Sequence, residues 1–217
     1  MQVSQTEQEQ LEDFKKWWKE NAKAVIAGVV IGLSVLFGAW TWRDYSRNQG
    51  EAASAEYQLL VGEVSKGDTE AGIKRGVAII NRFGTTSYAV FAAFALAKLE
   101  LERGDLGEAH KHLEWALGHA KQDELQHIAR LRLARVMLAE GQHDAALKLL
   151  AQAQPGSFLS AYEELKGDLY LATGQIAAAQ TAYQSALSAA TQEDSKKLIQ
   201  LKLDDVGAPQ PAADKAP

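Results

Sequence analysis

The 217-residue chain has no cysteine, so no disulfide can staple its fold and no thiolate can serve as a nucleophile. It also lacks a basic cluster. Lys and Arg total 23 against 28 Asp and Glu, a net charge of −5 that argues against nucleic acid as a partner. No phosphate-binding glycine loop, nucleophile elbow or HExxH pair occurs. His110 and His112 are two apart in a helical stretch and point to different sides, while His119, His127 and His143 fall in or near connections. None has a Cys, Asp or Glu at ligand spacing, so neither a metal, a cofactor nor an enzyme is expected.

Charge is also missing from one long run. Between Lys23 and Arg43 there is no ionisable side chain, a stretch of 19 residues from Ala24 to Trp42. As a helix it is about 28 Å long, close to the roughly 30 Å of a bilayer's hydrocarbon core. Trp17 and Trp18 precede the run and Trp40 and Trp42 end it, where indole rings settle at headgroup level. That placement suits a membrane span better than a buried core helix. A cleaved signal peptide is the stronger rival, but the 23 residues before the run carry five acids, and no A-x-A-like site follows closely. The run is best read as an uncleaved anchor.

Four lysines lie before the span, and only Arg43 and Arg47 follow within about twenty residues. The expectation is a cytoplasmic tail at 1–23, a transmembrane helix at 24–42 and an exported domain at 43–206. The tail reads as a short amphipathic helix on the membrane surface, with a capping box at Ser4 and Glu7 and apolar Leu11, Phe14, Trp17 and Trp18. Within the span, Gly28 and Gly32 form a GxxxG, and Ser34 and Gly38 repeat the spacing. Small residues one turn apart allow close helix packing in lipid, although glycine is common in spans in any case.

The exported part repeats itself. AKLELERGDLGEAHKHLEWAL, ARVMLAEGQHDAALKLLAQAQ and GDLYLATGQIAAAQTAYQSAL align without a gap. A small residue (Ala97, Ala134, Gly167) precedes a turn glycine (Gly104, Gly141, Gly174), and an alanine follows (Ala109, Ala146, Ala179). Leu113, Leu150 or Tyr183 comes next, then Ala116, Ala153 or Ala186. The periods are 37 and 33 residues, near the roughly 34 of tetratricopeptide arrays. Antiparallel helices cross closely only where both carry small side chains, here Ala97–Ala109, Ala134–Ala146 and Gly167–Ala179. Such pairs must stack to bury their apolar faces. A degenerate earlier copy places Leu60, Gly67 and Gly72 at the same offsets.

The fold class expected is all-α: a transmembrane helix, then a tetratricopeptide-like solenoid with helices at about 47–65 and 69–82, then three further pairs. A last helix at about 192–206 carries Leu198, Leu201 and Val206 over the open end, and the Ala/Pro-rich tail at 207–217 is expected to be disordered. No strand is expected.

In such stacks the first helix of each pair lines a concave groove, which makes that groove the candidate binding site. Along those helices the candidates are Phe91, Phe94 and Lys98, then Ile128, Leu131 and Arg135, then Glu164, Asp168 and Leu171. Phe94 and Leu131 are equally readable as core. Lys98, Arg135 and Asp168 have no evident core role, but any solvated helix face carries charge.

Trp17-Trp18-Lys19-Glu20-Asn21-Ala22-Lys23 runs into the span, and Thr86-Ser87-Tyr88 precedes the first full repeat. Arg130-Leu131-Arg132-Leu133-Ala134-Arg135-Val136, Leu165-Lys166-Gly167-Asp168 and Gln200-Leu201-Lys202-Leu203 follow in order. Through these stretches the chain resembles, over nearly all of 10–206, the ancillary SecYEG translocon subunit (YfgM) family. The Ala/Pro-rich end is not part of it. The resemblance implies a periplasmic domain bound to the SecYEG translocon and to the membrane-anchored chaperone PpiD, assisting proteins that emerge from the channel. It also implies restraint of the response regulator RcsB through the cytoplasmic end, and supplies no catalytic residue. Residue patterns alone reach an exported, tethered repeat scaffold, with a cytoplasm-facing scaffold and an envelope assembly factor as alternatives.

Overall fold

The computed structural model describes the backbone of residues 3–207 and the side chains from Glu9 onward. Except for Gly207, the expected disordered tail lies outside the described residues, as do the side chains of Ser4 and Glu7. The described chain is α-helical apart from turns and one short 3-10 segment, and it divides into two compact units, Met1–Glu51 and Ala52–Pro217.

The first helix is α1 (Val3–Lys66). The helical backbone runs without a break from the expected tail helix into the apolar stretch. Ser4 sits inside the helix rather than at its N-cap. Among the described residues one helix, over Glu9–Lys66, is long and apolar enough to cross a membrane, and the apolar window within it is wholly unburied. Polar side chains in that stretch bond to their own helix: Ser34 Oγ donates to the Val30 carbonyl at 2.8 Å and Thr41 Oγ1 to that of Phe37 at 3.0 Å. Lipid offers no alternative acceptor, so this local satisfaction suits a span.

The second unit is built from helix pairs. The last turns of α1 pair with α2 (Thr69–Phe83); α3 (Ser87–Glu102) pairs with α4 (Leu106–His119). Next come α5 (Asp123–Ala139) with α6 (His143–Ala151) and α7 (Leu159–Ala172) with α8 (Ile176–Ala189), closed by α9 (Glu193–Gly207). Each pair turns at one of the aligned glycines. Gly67, Gly104, Gly141 and Gly174 have φ of 74°, 81°, 76° and 72°, the left-handed region in which a Cβ is penalised. The following residue closes each helix by donating its N–H to the carbonyl five back, as Asp105 does to Glu100 and Gln142 to Met137, both at 2.8 Å. Asp68 and Asp105 then cap the next helix with their carboxylates, at 3.1 Å to Ala71 N–H and 3.0 Å to Glu108 N–H. Gly67 makes the degenerate copy a full structural repeat.

The small residues go where the alignment expects them. Ala97, Ala109, Ala134, Ala146 and Ala179 are at most 2% exposed, and Leu113, Leu150 and Tyr183 are each 1% exposed. Two pairings depart from the alanine pattern. Gly167 makes room for the Tyr183 ring: a Cβ on Gly167 would collide with ring atoms Cε1, Cδ1 and Cζ. In the degenerate copy the sizes are exchanged, with buried Leu60 facing Gly72, whose added Cβ would lie 3.9 Å from Leu60 Cδ1 and 2.9 Å from Leu99 Cδ1.

Helix α6 has only 9 residues, and Ala153 falls in the connection after it instead of on a helix face. Pro155 explains this. Its ring would clash with the carbonyl four residues back, that of Ala151, where the helix stops. In α9 the core side is set by Ile199 (0% exposed) and Val206 (8%), whereas Leu198 and Leu201 are 51% and 68% exposed. The expected capping trio is thus corrected: the helix is rotated so that Leu198 and Leu201 face outward.

Candidate protein-binding groove

The first helices present a continuous stripe. Two adjoining depressions, of about 380 and 330 Å³, run along α3 between the last turns of α1 and α5. They share Phe94, Lys98 and Arg132. At one end Tyr57, Tyr88 and Phe91 form an aromatic cluster with ring centroids 5.9–6.1 Å apart. Such pairs add roughly 0.5–1.5 kcal/mol each beyond the area they bury. Phe94 forms the floor, 8% exposed, and the Arg132 guanidinium lies over its ring at 4.7 Å. Burial, and then the like charge of Arg135, lower the pKa of Arg132, although a guanidinium stays charged throughout the accessible pH range.

Phe91, Phe94, Lys98, Ile128 and Arg135 all line these depressions. Leu131 does not: it is 5% exposed and belongs to the core beneath. The groove stripe on α5 runs Leu125, Ile128, Arg132, Arg135, at steps of three and four, and the count through Leu131 slipped off that face. Tyr57 and Arg132 were missed. The step of four from Ile128 would have found Arg132; Tyr57 required knowing that α1 supplies the first groove helix.

At α7 the charged candidates are already engaged. Lys202 of α9 donates to Glu164 Oε1 at 2.7 Å and to both Asp168 oxygens at 2.8 and 2.9 Å. The Tyr183 hydroxyl donates to Asp168 Oδ1 at 2.8 Å. Burial lowers the Lys202 pKa, but its bonds to Asp168 and Glu164 outweigh that and the net direction is up. Burial and the Asp168 bond both raise the Tyr183 pKa. Asp168 therefore does have a structural role, which corrects the expectation from sequence. Leu171 packs against the cluster around Tyr183 and Ile199.

The histidines take structural positions. His110 Nδ1 bonds Glu140 at 2.8 Å, a partner thirty residues away, and His127 Nδ1 lies 2.8 Å from the Tyr162 hydroxyl. His119 stacks on Trp115 with ring centroids 4.0 Å apart. His112 is half-buried, and burial lowers its pKa. A larger depression of about 830 Å³ beside the start of α2 is lined by Asp68, Glu70, Lys74 and Arg103, whose charges offset one another and which include no aromatic anchor.

In the first unit, an added Cβ at Gly28, Gly32 or Gly38 meets nothing within 4 Å, so these positions are open to a neighbouring helix. Gly28 and Gly32 share one face. Ser34 lies about 200° round the helix from Gly32, so Ser34 and Gly38 form a second face rather than extending the first.

The comparisons with known proteins agree with this architecture. A profile of the tetratricopeptide repeat-like domain matches residues 15–208. The ancillary SecYEG translocon subunit of Haemophilus influenzae is 31% identical, over 95% of this chain and 100% of its own length. That of Aggregatibacter actinomycetemcomitans is 33% identical over 92% of this chain and 97% of its own, and that of Escherichia coli 26% identical over 95% and 99%. Matched over more than nine tenths of its length by relatives more than 30% identical, the chain belongs to the ancillary SecYEG translocon subunit family and carries a tetratricopeptide repeat-like domain.

Proposed function

We propose that this protein is a non-enzymatic, membrane-tethered binding module that associates with the SecYEG translocon. Its repeat domain holds a PpiD-like chaperone or a chain emerging from the channel. Residues 1–23 lie in the cytoplasm, 24–42 cross the inner membrane, and 43–206 form the periplasmic domain. The charge asymmetry, four lysines before the span against two arginines after it, supports this orientation. The observation that carries the reading is the combination of an exposed apolar helix with an open first-helix groove in a family whose relatives are named as translocon subunits.

The two units divide the work. Gly28 and Gly32 offer a face for a translocon helix, while Phe91, Phe94, Lys98, Ile128 and Arg135 offer a surface for a polypeptide. Tethering raises the effective concentration of both partners in one membrane, so a weak contact in the groove suffices. The cytoplasmic turns of α1 are the segment that would reach a response regulator. The test is purification of the full chain from gently solubilised membranes. SecYEG subunits and the chaperone should be recovered with it at constant ratio, and loss of both under conditions that keep SecYEG intact would refute the reading.

A further inference from the structure

The lining of the groove is lopsided in charge. Lys98, Arg132 and Arg135 line the two depressions and no carboxylate does, in a chain whose net charge is −5. Among the described residues no ion pair holds Arg132 or Arg135. Lys98 meets Glu102 one turn on at 3.5 Å, but the two side chains are 64% and 53% exposed, a pairing that solvent makes weak. On the first-helix face of α7, Glu164 and Asp168 are held by Lys202 and are not free to turn toward the arginines. The same depressions hold the aromatic anchors Tyr57, Phe91 and Phe94, with Arg132 over the Phe94 ring.

We propose that this groove, formed by the last turns of α1 with α3 and α5, receives a segment of a partner protein in which apolar side chains are flanked by carboxylates. The proposal rests on the reading of the domain as a binding module and names the chemistry of what it binds. Apolar side chains would sit against Phe91 and Phe94, each in a depression of a few hundred Å³, a size that takes one or two side chains. Carboxylates would relieve the mutual repulsion of Arg132 and Arg135, with planar guanidinium groups suited to two-point contact. A second copy of this chain is a poor occupant. A two-fold contact through the groove would set Lys98, Arg132 and Arg135 against their own equivalents.

The experiment uses the full chain in nanodiscs of zwitterionic lipid and two fluorescein-labelled peptides. Both carry Leu and Phe at helical spacing; one has Glu between them and the other Lys. Fluorescence anisotropy should show the Glu peptide binding about tenfold or more tighter than the Lys peptide, with affinity falling as salt rises. Lys98→Glu with Arg135→Glu, both at exposed positions, should remove that preference, and Lys98→Gln with Arg135→Gln should weaken Glu-peptide binding without reversing it. Equal binding of both peptides, no binding of the Glu peptide, or unchanged binding by the charge-reversed variant overturns the proposal. A fall in chains per particle on charge reversal, read by sedimentation, also overturns it, in favour of a second copy as occupant. Recovery of SecYEG from membranes is measured separately, so failure of the peptide assay leaves translocon association standing.

Discussion

Gly167→Ala isolates the closest approach in the repeat domain. The new methyl group would meet three atoms of the Tyr183 ring, the more distant two at 2.5 and 2.9 Å, where about 3.5–4.0 Å is comfortable. The ring has little freedom to yield. It is 1% exposed, and its hydroxyl is tied to Asp168, itself held by Lys202. Overpacking of this kind costs about 1–3 kcal/mol, and the anchored ring argues for the upper end. Replacing glycine by alanine within a helix returns about 1 kcal/mol. The net expectation is destabilisation by about 2 kcal/mol, read as a lower urea midpoint by far-UV circular dichroism on a fragment of residues 48–217. Gly62→Ala is the control, since a Cβ there meets nothing within 4 Å and should stabilise by about 0.5–1 kcal/mol. In a Tyr183→Leu background the clash partner is gone, so Gly167→Ala should turn from harmful to neutral or helpful. If Gly167→Ala alone behaves like Gly62→Ala, the packing of α7 against α8 is not as described.

Other expectations follow from the same packing. Ala146→Leu, at a fully buried crossing of α5 and α6, should cost about 1–3 kcal/mol by denaturation, and a neutral result would mean that the repeat register is wrong. Lys202→Met leaves Glu164 and Asp168 facing one another without their cation and should lower stability by about 1–3 kcal/mol at neutral pH. The lowered pKa of half-buried His112 means that the unfolded chain binds the proton more readily. Stability should therefore fall as pH drops below the ordinary histidine range of about 6.5, and His112→Gln should flatten that slope in a pH series of melts. A phosphatase active only outside the cytoplasm, fused after Pro217, should be active, whereas strong activity of a cytoplasm-only reporter there would reverse the orientation.

Most of the architecture is legible in the sequence because it depends on one-residue requirements. A left-handed turn needs glycine, and a close crossing needs alanine or glycine, so Gly104, Gly141 and Gly174 with Ala109, Ala146 and Ala179 mark the repeats. Even the degenerate copy announces itself through Gly67. What the sequence hid are exchanges between positions. Leu60 and Gly72 swap sizes across a crossing, and Gly167 yields to a tyrosine four residues past the alanine assigned to it. The groove was half legible. Counting along α3 reaches Phe91, Phe94 and Lys98, which line the depressions, but on α5 the choice between steps of three and four decided between Leu131, which is core, and Arg132, which is not. The bond from Lys202 to Asp168 joins positions 34 apart and comes from the capping helix, so no local pattern reveals it.

The most direct test of the central claim is photo-crosslinking in intact cells, with a photoreactive amino acid placed in the full chain at Gly28 in the span and, separately, at Phe91 in the groove. The account predicts adducts from Gly28 with a SecYEG subunit, and adducts from Phe91 with a periplasmic chaperone or an emerging chain that diminish when export is blocked. Adducts from Phe91 with cytoplasmic proteins only, together with none to SecYEG from Gly28, would contradict it.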